Sequence, residues 1–120
     1  MKKKILLVDD SDAARGSTRF SLTIKGFDIL EAANGKEGID VLNTQQGIDL
    51  IITDVNMPVM DGISFVKEAR KHDSYSMVPI IIRSSEDAMV QEGINAGASA
   101  WVSKGANSSE ELLKAIHKLI

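Results

Sequence analysis

Five polar residues stand one or two residues past the ends of four short apolar runs. Asp9 and Asp10 follow ILLV, Asp54 comes just after LII, Ser84 just after VPIII, and Lys104 just after AWV. If the first and third runs are neighbouring strands, about 4.8 Å apart, their three carboxylates converge on one edge of a sheet. Like charges about 5 Å apart repel by roughly 3 kcal/mol per pair at an effective dielectric of 20, so the cluster demands raised pKa values or a counter-ion. An oxygen-only donor set without His or Cys selects a hard cation, Mg²⁺ or Mn²⁺, which keeps its waters and accepts phosphate oxygens. With that ion and Lys104 neutralising phosphoryl oxygens, the Asp54 carboxylate can act as a nucleophile and become an aspartyl phosphate. The plainer reading of DDSD is a cap for the next helix. What favours a site is the conjunction of the acids with Ser84 and Lys104 at two further run ends.

The elements that must hold these residues follow from the spacing. The runs Ile5 to Val8, Leu50 to Ile52, Val78 to Ile82 and Ala100 to Val102, with a less apolar one at Phe27 to Leu30, read as strands buried on both faces. Crossover helices are predicted between them. Helix 1 spans about Asp12, its cap, to Lys25, with Gly26 as its stop and Phe20, Leu22 and Ile24 as a thin apolar face. Helix 2 spans about Lys36 to Leu42, helix 3 about Ile63 to Lys71, and helix 4 about Ala88 to Asn95, ended by Gly97. Helix 5 opens on Ser108-Ser-Glu-Glu111, a capping-box spacing, and aligns Leu112, Leu113, Ile116 and Ile120. Five strand-then-helix repeats predict an α/β fold of three layers around a parallel sheet, with ligands beyond the carboxyl ends of the strands. No linker, repeat or second domain is visible, so residues 1–120 are expected to form one domain.

Composition narrows the classes. The chain has 120 residues, 43% hydrophobic and 26% charged, with a net charge of −3, which gives neither a basic footprint for nucleic acid nor a polybasic segment for a membrane surface. The absence of cysteine excludes a disulfide framework and agrees with a cytoplasmic setting. Ile5 to Val8 is too short for a signal-peptide core or a membrane span.

Together the stretches LLVDDS (6–11), DVNMPVMDG (54–62), PIIIRSS (79–85) and GASAWVSK (97–104) resemble the receiver domain of bacterial response regulators, of the single-domain CheY type. The resemblance covers nearly the whole chain. It implies a flavodoxin-like (βα)5 sheet of order 2-1-3-4-5, with Asp54 as phosphoacceptor. It further implies Asp9, Asp10, Asp54 and the backbone carbonyl of Asn56 as the Mg²⁺ set. Ser84 and Lys104 would contact the phosphoryl group, Trp101 and Ser84 would form the switch, and Asn56 and Glu86 would tune hydrolysis. The implied partners are a histidine kinase as donor and a downstream protein on the face of helix 4, strand 5 and helix 5. The protein is then expected to be a monomer or a phosphorylation-dependent dimer, with a chemotaxis role by analogy alone.

Three positions depart from the family pattern. Gly105 follows Lys104 where proline, often after a cis bond, is usual; a non-proline cis bond costs about 2.5–4 kcal/mol, so a trans bond and a shifted loop are expected. Trp101 replaces Tyr or Phe, and its bulk is expected to hinder a full swing into the core. Arg83 stands where an apolar residue is usual and could reach an acid, reach a partner or snorkel. His72 and His117 read as surface or packing residues, Met57 and Met60 as packing of the loop against helix 3, and Asp61-Gly62 as a turn and cap. Glu86 and Asp87 are expected to begin helix 4. Competing functions are a phosphorelay or phosphate-sink receiver and a Mg²⁺-dependent phosphatase with an aspartyl nucleophile. Asn56, where haloacid-dehalogenase-type enzymes need a second acid, disfavours the phosphatase.

Overall fold

The structure is a computed structural model that describes residues 2–120. Its strands are β1 (Lys4–Val8), β2 (Asp28–Ala32), β3 (Leu50–Thr53), β4 (Ile80–Ser84) and β5 (Ala100–Ser103). Its helices are α1 (Asp12–Ile24), α2 (Gly35–Thr44), α3 (Gly62–Lys71), α4 (Val90–Ala96) and α5 (Ser108–Leu119). All pairings are parallel, in the order β2-β1-β3-β4-β5, the flavodoxin-like doubly wound arrangement. Strand alternation divides the core in two. Leu6, Val8, Ile51, Ile80 and Ile82 face α2, α3 and α4, whereas Ile5, Leu7, Leu50, Ile52 and Ile81 face α1 and α5. Both faces are covered, which is why the central strands are unbroken apolar runs.

Several boundaries differ from the sequence reading, each for a local reason. Phe27 is buried but precedes β2, its N–H bonded back to Leu22 O at the end of α1. Val78 precedes β4 because its N–H is taken by Tyr75 O, and Pro79 has no N–H to give the sheet. Asp87–Met89 form a single 3₁₀ turn before α4, and α2 is longer at both ends, capped by Asn34 Oδ1 accepting from Glu37 N at 2.9 Å. The cap of α1 is Ser11, whose Oγ accepts from Ala14 N at 3.1 Å, and not Asp12, whose carboxylate pairs with Arg15. On α1, Thr18 and Leu22 turn inward, one turn apart, while Phe20 and Ile24 are each 67% exposed. Two places along a helix is a rotation of about 200°, so Leu22 cannot share a face with them.

The predicted capping box of α5 is also absent. Ser108 is the first residue of the helix, after Asn107, and its hydroxyl is engaged by Arg83 instead. Asp61 does cap α3, accepting from Ser64 N at 2.8 Å. Met57 and Met60 pack on the core layer that holds Ile63, Phe65 and Val66 of α3, and Met60 also abuts the start of α2, its carbonyl accepting from Gly35 N at 3.1 Å. Just before Met60, Val59 sits at φ 69°, in a three-residue turn closed by Met60 N to Pro58 O at 2.7 Å. A left-handed β-branched residue stores about 1–2 kcal/mol of strain, here in the loop directly after Asp54.

Candidate functional site

Parallel strands end together, so the register that pairs Val8 with Thr53 sets Asp9 beside Asp54 at the carboxyl edge of the sheet. The Asp54 carboxylate is fixed by Val55 N, which donates to Oδ1 at 2.7 Å, and by Lys104 Nζ, 2.7 Å from Oδ2. Lys104 reaches from beyond β5 across β4 and also lies 3.9 Å from Asp9 Oδ2. Asp9 is buried and its Oδ1 accepts from Ser11 N at 2.9 Å, whereas Asp10 is exposed. One oxygen from each of Asp9, Asp10 and Asp54 lies within 4.8 Å of the others. Among the described residues, three carboxylates against a single ammonium leave an excess of negative charge among hard oxygen donors, which suits a divalent cation such as Mg²⁺.

Ser84 is buried at the end of β4, its Oγ accepting from Glu86 N at 3.1 Å. Above it Asn56 Nδ2 donates to Glu86 Oε1 at 3.1 Å, so the two residues expected to tune hydrolysis form a bridge over the site. No peptide bond among the described residues is cis, so Lys104–Gly105 is trans and Lys104 still reaches Asp54.

The Trp101 indole is half-buried against the core layer that contains Ile82, because Gly93 on α4 leaves room for it. A Cβ at Gly93 would meet Ile82 Cδ1 at 2.8 Å and Trp101 Cζ3 at 3.0 Å. Gly93→Ala should therefore expel the indole even though alanine favours the helix by about 1 kcal/mol, since overpacking costs about 1–3. The expected result is a red-shifted, more quenchable tryptophan emission; an unchanged spectrum would show that α4 can yield instead.

Sequence reasoning passed over Arg15. Its guanidinium donates to Asp9 O at 2.6 Å and pairs with Asp12 and Glu31, tying the loop after β1 to α1 and β2. Only the three-residue spacing from Asp12 hinted at it. Arg70, also unremarked, bonds the carbonyls of Gly97, Ser76 and Val78, holding the turn before β5 to α3. His72 is structural, as expected: Nδ1 accepts from Ser74 N and Nε2 bonds Asn43.

Burial raises the Asp9 carboxyl above its usual value; the Ser11 N–H and Lys104 oppose this, and Asp54 and Asp10 add to it. The folded pKa therefore exceeds the unfolded 3.8, so the folded state binds the proton more tightly. The resulting destabilisation is absent below the unfolded pKa, grows as pH rises from there through the folded pKa, and is full above it. Without divalent cations, Asp9→Asn should be more stable than the parent at neutral pH, with the advantage shrinking toward pH 4. Added Mg²⁺ should raise the melting temperature of the parent and leave that of Asp9→Asn unchanged. Equal melting curves at all pH values would contradict this.

Residues 5–117 match the family model for the response regulator receiver domain, and the chain belongs to that family. Its likeness within the family is to CheY-like receivers of two-component systems. The chemotaxis protein CheY homolog of Campylobacter jejuni is 38% identical over 104 residues, covering 84% of this chain and 80% of the relative. The structure of the chemotaxis response regulator CheY4 of Vibrio cholerae matches with a TM-score of 0.91 at 36% identity, covering 100% of both chains. The gliding motility regulatory protein of Myxococcus xanthus is 37% identical over 97% of this chain, which spans only 15% of that relative's length. Receiver domains are signalling domains that interact with histidine kinases and downstream targets. No helix among the described residues is long and apolar enough to cross a membrane.

Proposed function

We propose that residues 1–120 act as one phosphorylation-controlled receiver, in which Asp54 accepts a phosphoryl group from the phosphohistidine of a kinase. A P–O bond forms to the Asp54 carboxylate as the donor's P–N bond breaks, and the departing imidazole takes up a proton. The observation that carries this reading is the setting of Asp54 Oδ2, 2.7 Å from Lys104 Nζ and within a three-carboxylate cluster. Asp9, Asp10, Asp54 and the Asn56 carbonyl would hold Mg²⁺, which supplies charge neutralisation for the phosphoryl oxygens. Lys104 would move its contact from Asp54 to a phosphoryl oxygen, and Ser84 Oγ would leave Glu86 N to donate to another.

The withdrawal of Ser84 would free the space beside Ile82 and Trp101. The buried indole Nε1 has no partner, an orphan donor that costs about 1–3 kcal/mol and keeps the present ring position from being deeply favoured. A groove of about 650 Å³ along β5 and α5, flanked by Trp101, Lys114 and Lys118, would receive the downstream protein. The Asn56–Glu86 bridge would set how fast water reaches the phosphoryl group. The test follows the emission of Trp101, the only tryptophan, as Mg²⁺ and then beryllofluoride are added. A Mg²⁺-dependent change that Asp54→Asn abolishes supports the proposal, and its absence from the parent would sink it.

A further inference from the structure

Strand alternation turns Ser84 toward α4 but the preceding Arg83 to the opposite face, into the seam between α1 and α5. There Nη1 donates to Thr18 Oγ1 at 2.7 Å and Nη2 to Ser108 Oγ at 3.0 Å, while Nε is buried with no partner. Among the described residues no carboxylate pairs with it, although burial lowers its pKa and the distant charges of Asp9 and Asp54 oppose that shift. A cavity of about 120 Å³ opens beside the guanidinium, lined by Ser17, Thr18, Ser21 and Ser109, with Leu22 and Leu112 as apolar walls.

The chemistry of this lining is one-sided. Thr18 and Ser108 use oxygen lone pairs to accept from Arg83, which leaves their O–H protons to donate elsewhere. Ser17, Ser21 and Ser109 add hydroxyls at the rim, and no acid lines the cavity. A half-buried, permanently charged arginine answered only by neutral groups is an unfinished ion pair. The cavity has room for about four water volumes, enough for a tetrahedral oxyanion and too little for a nucleotide.

We infer that the α1–α5 seam is a binding site for a small oxyanion, with Arg83 as counter-charge and the surrounding hydroxyls as donors. It lies on the other face of β4 from the Ser84 side chain and stands whether or not Asp54 is the phosphoacceptor. The test follows the backbone amide resonances of Ser17, Thr18 and Leu112, which line the cavity and are present in every variant, by NMR during titration with inorganic phosphate, at constant ionic strength and without divalent cations. A saturable shift in the millimolar range, reproduced by sulfate and lost in Arg83→Gln, is expected. Acetate giving the same shift would extend the site to carboxylates within the same oxyanion class. Should Arg83→Gln fail to fold, the double variant Ser21→Ala/Ser109→Ala keeps both arginine contacts and should weaken phosphate about tenfold. A shift that does not saturate, that chloride reproduces, that persists in Arg83→Gln or that is as tight in the double variant overturns the inference.

Discussion

Gly62→Ala lowers stability by about 3 kcal/mol or more and the melting temperature by roughly 10 °C, because the added methyl has nowhere to go. A Cβ at Gly62 would lie 1.8 Å from the carbonyl oxygen of Asp54, 2.8 Å from its carbonyl carbon and 3.0 Å from Val55 Cα. All three are backbone atoms, so no rotamer change relieves the clash. The carbonyl also accepts from Thr53 Oγ1 at 2.9 Å, and Gly62 N donates to Val55 O at 2.8 Å, so the start of α3 is stitched to the residue that follows Asp54. Either the helix withdraws, losing its burial of Ile63 and Phe65, or the Asp54 backbone shifts and its carboxylate leaves Lys104. Thermal unfolding followed by circular dichroism measures the loss; a variant melting with the parent would show that this loop is looser than its contacts.

Lys104→Met slows phosphoryl uptake by Asp54 about 10²–10³-fold while leaving the fold intact. The methionine keeps most of the stem length and removes the cation that, among the described residues, pairs with both Asp54 and Asp9. Losing a preorganised donor to developing charge costs about 2.7–4 kcal/mol in comparable sites, which sets the magnitude. Lys104→Arg should recover only part of the rate, since a planar fork cannot reproduce the point contact at 2.7 Å from Asp54 Oδ2. Single-turnover rates with a small acyl phosphate at saturating Mg²⁺ measure both variants. A rate within a few-fold of the parent for Lys104→Met would remove Lys104 from the chemistry.

The sequence was most legible where burial on both faces wrote short unbroken apolar runs, and where parallel strands brought the polar residues after those runs to one edge. Asp9, Asp54, Ser84 and Lys104 could be read together because a strand end is a fixed place in this architecture. Strand order was legible only through resemblance, since periodicity carries no information about which strands pair. What could not be read depended on contacts between residues distant in the chain. Ser108 has a helix-capping spacing, yet its hydroxyl goes to Arg83, 25 residues away. The room that Gly93 leaves for the Trp101 ring is likewise a property of two elements together and of neither residue alone. Ser11 and Asp12 can both cap a helix, and only the side-chain directions decide that Ser11 does so while Asp12 meets Arg15.

The central claim is that Asp54 is the phosphorylated residue and that the acid cluster works through a divalent cation. Mass spectrometry of the protein after exposure to a small acyl phosphate tests it most directly, with and without Mg²⁺. The account predicts one acid-labile phosphoryl adduct, dependent on Mg²⁺, on the peptide containing Asp54, and none on Asp54→Asn. An adduct on a different residue, one formed equally without the metal, or none on the parent protein would contradict it.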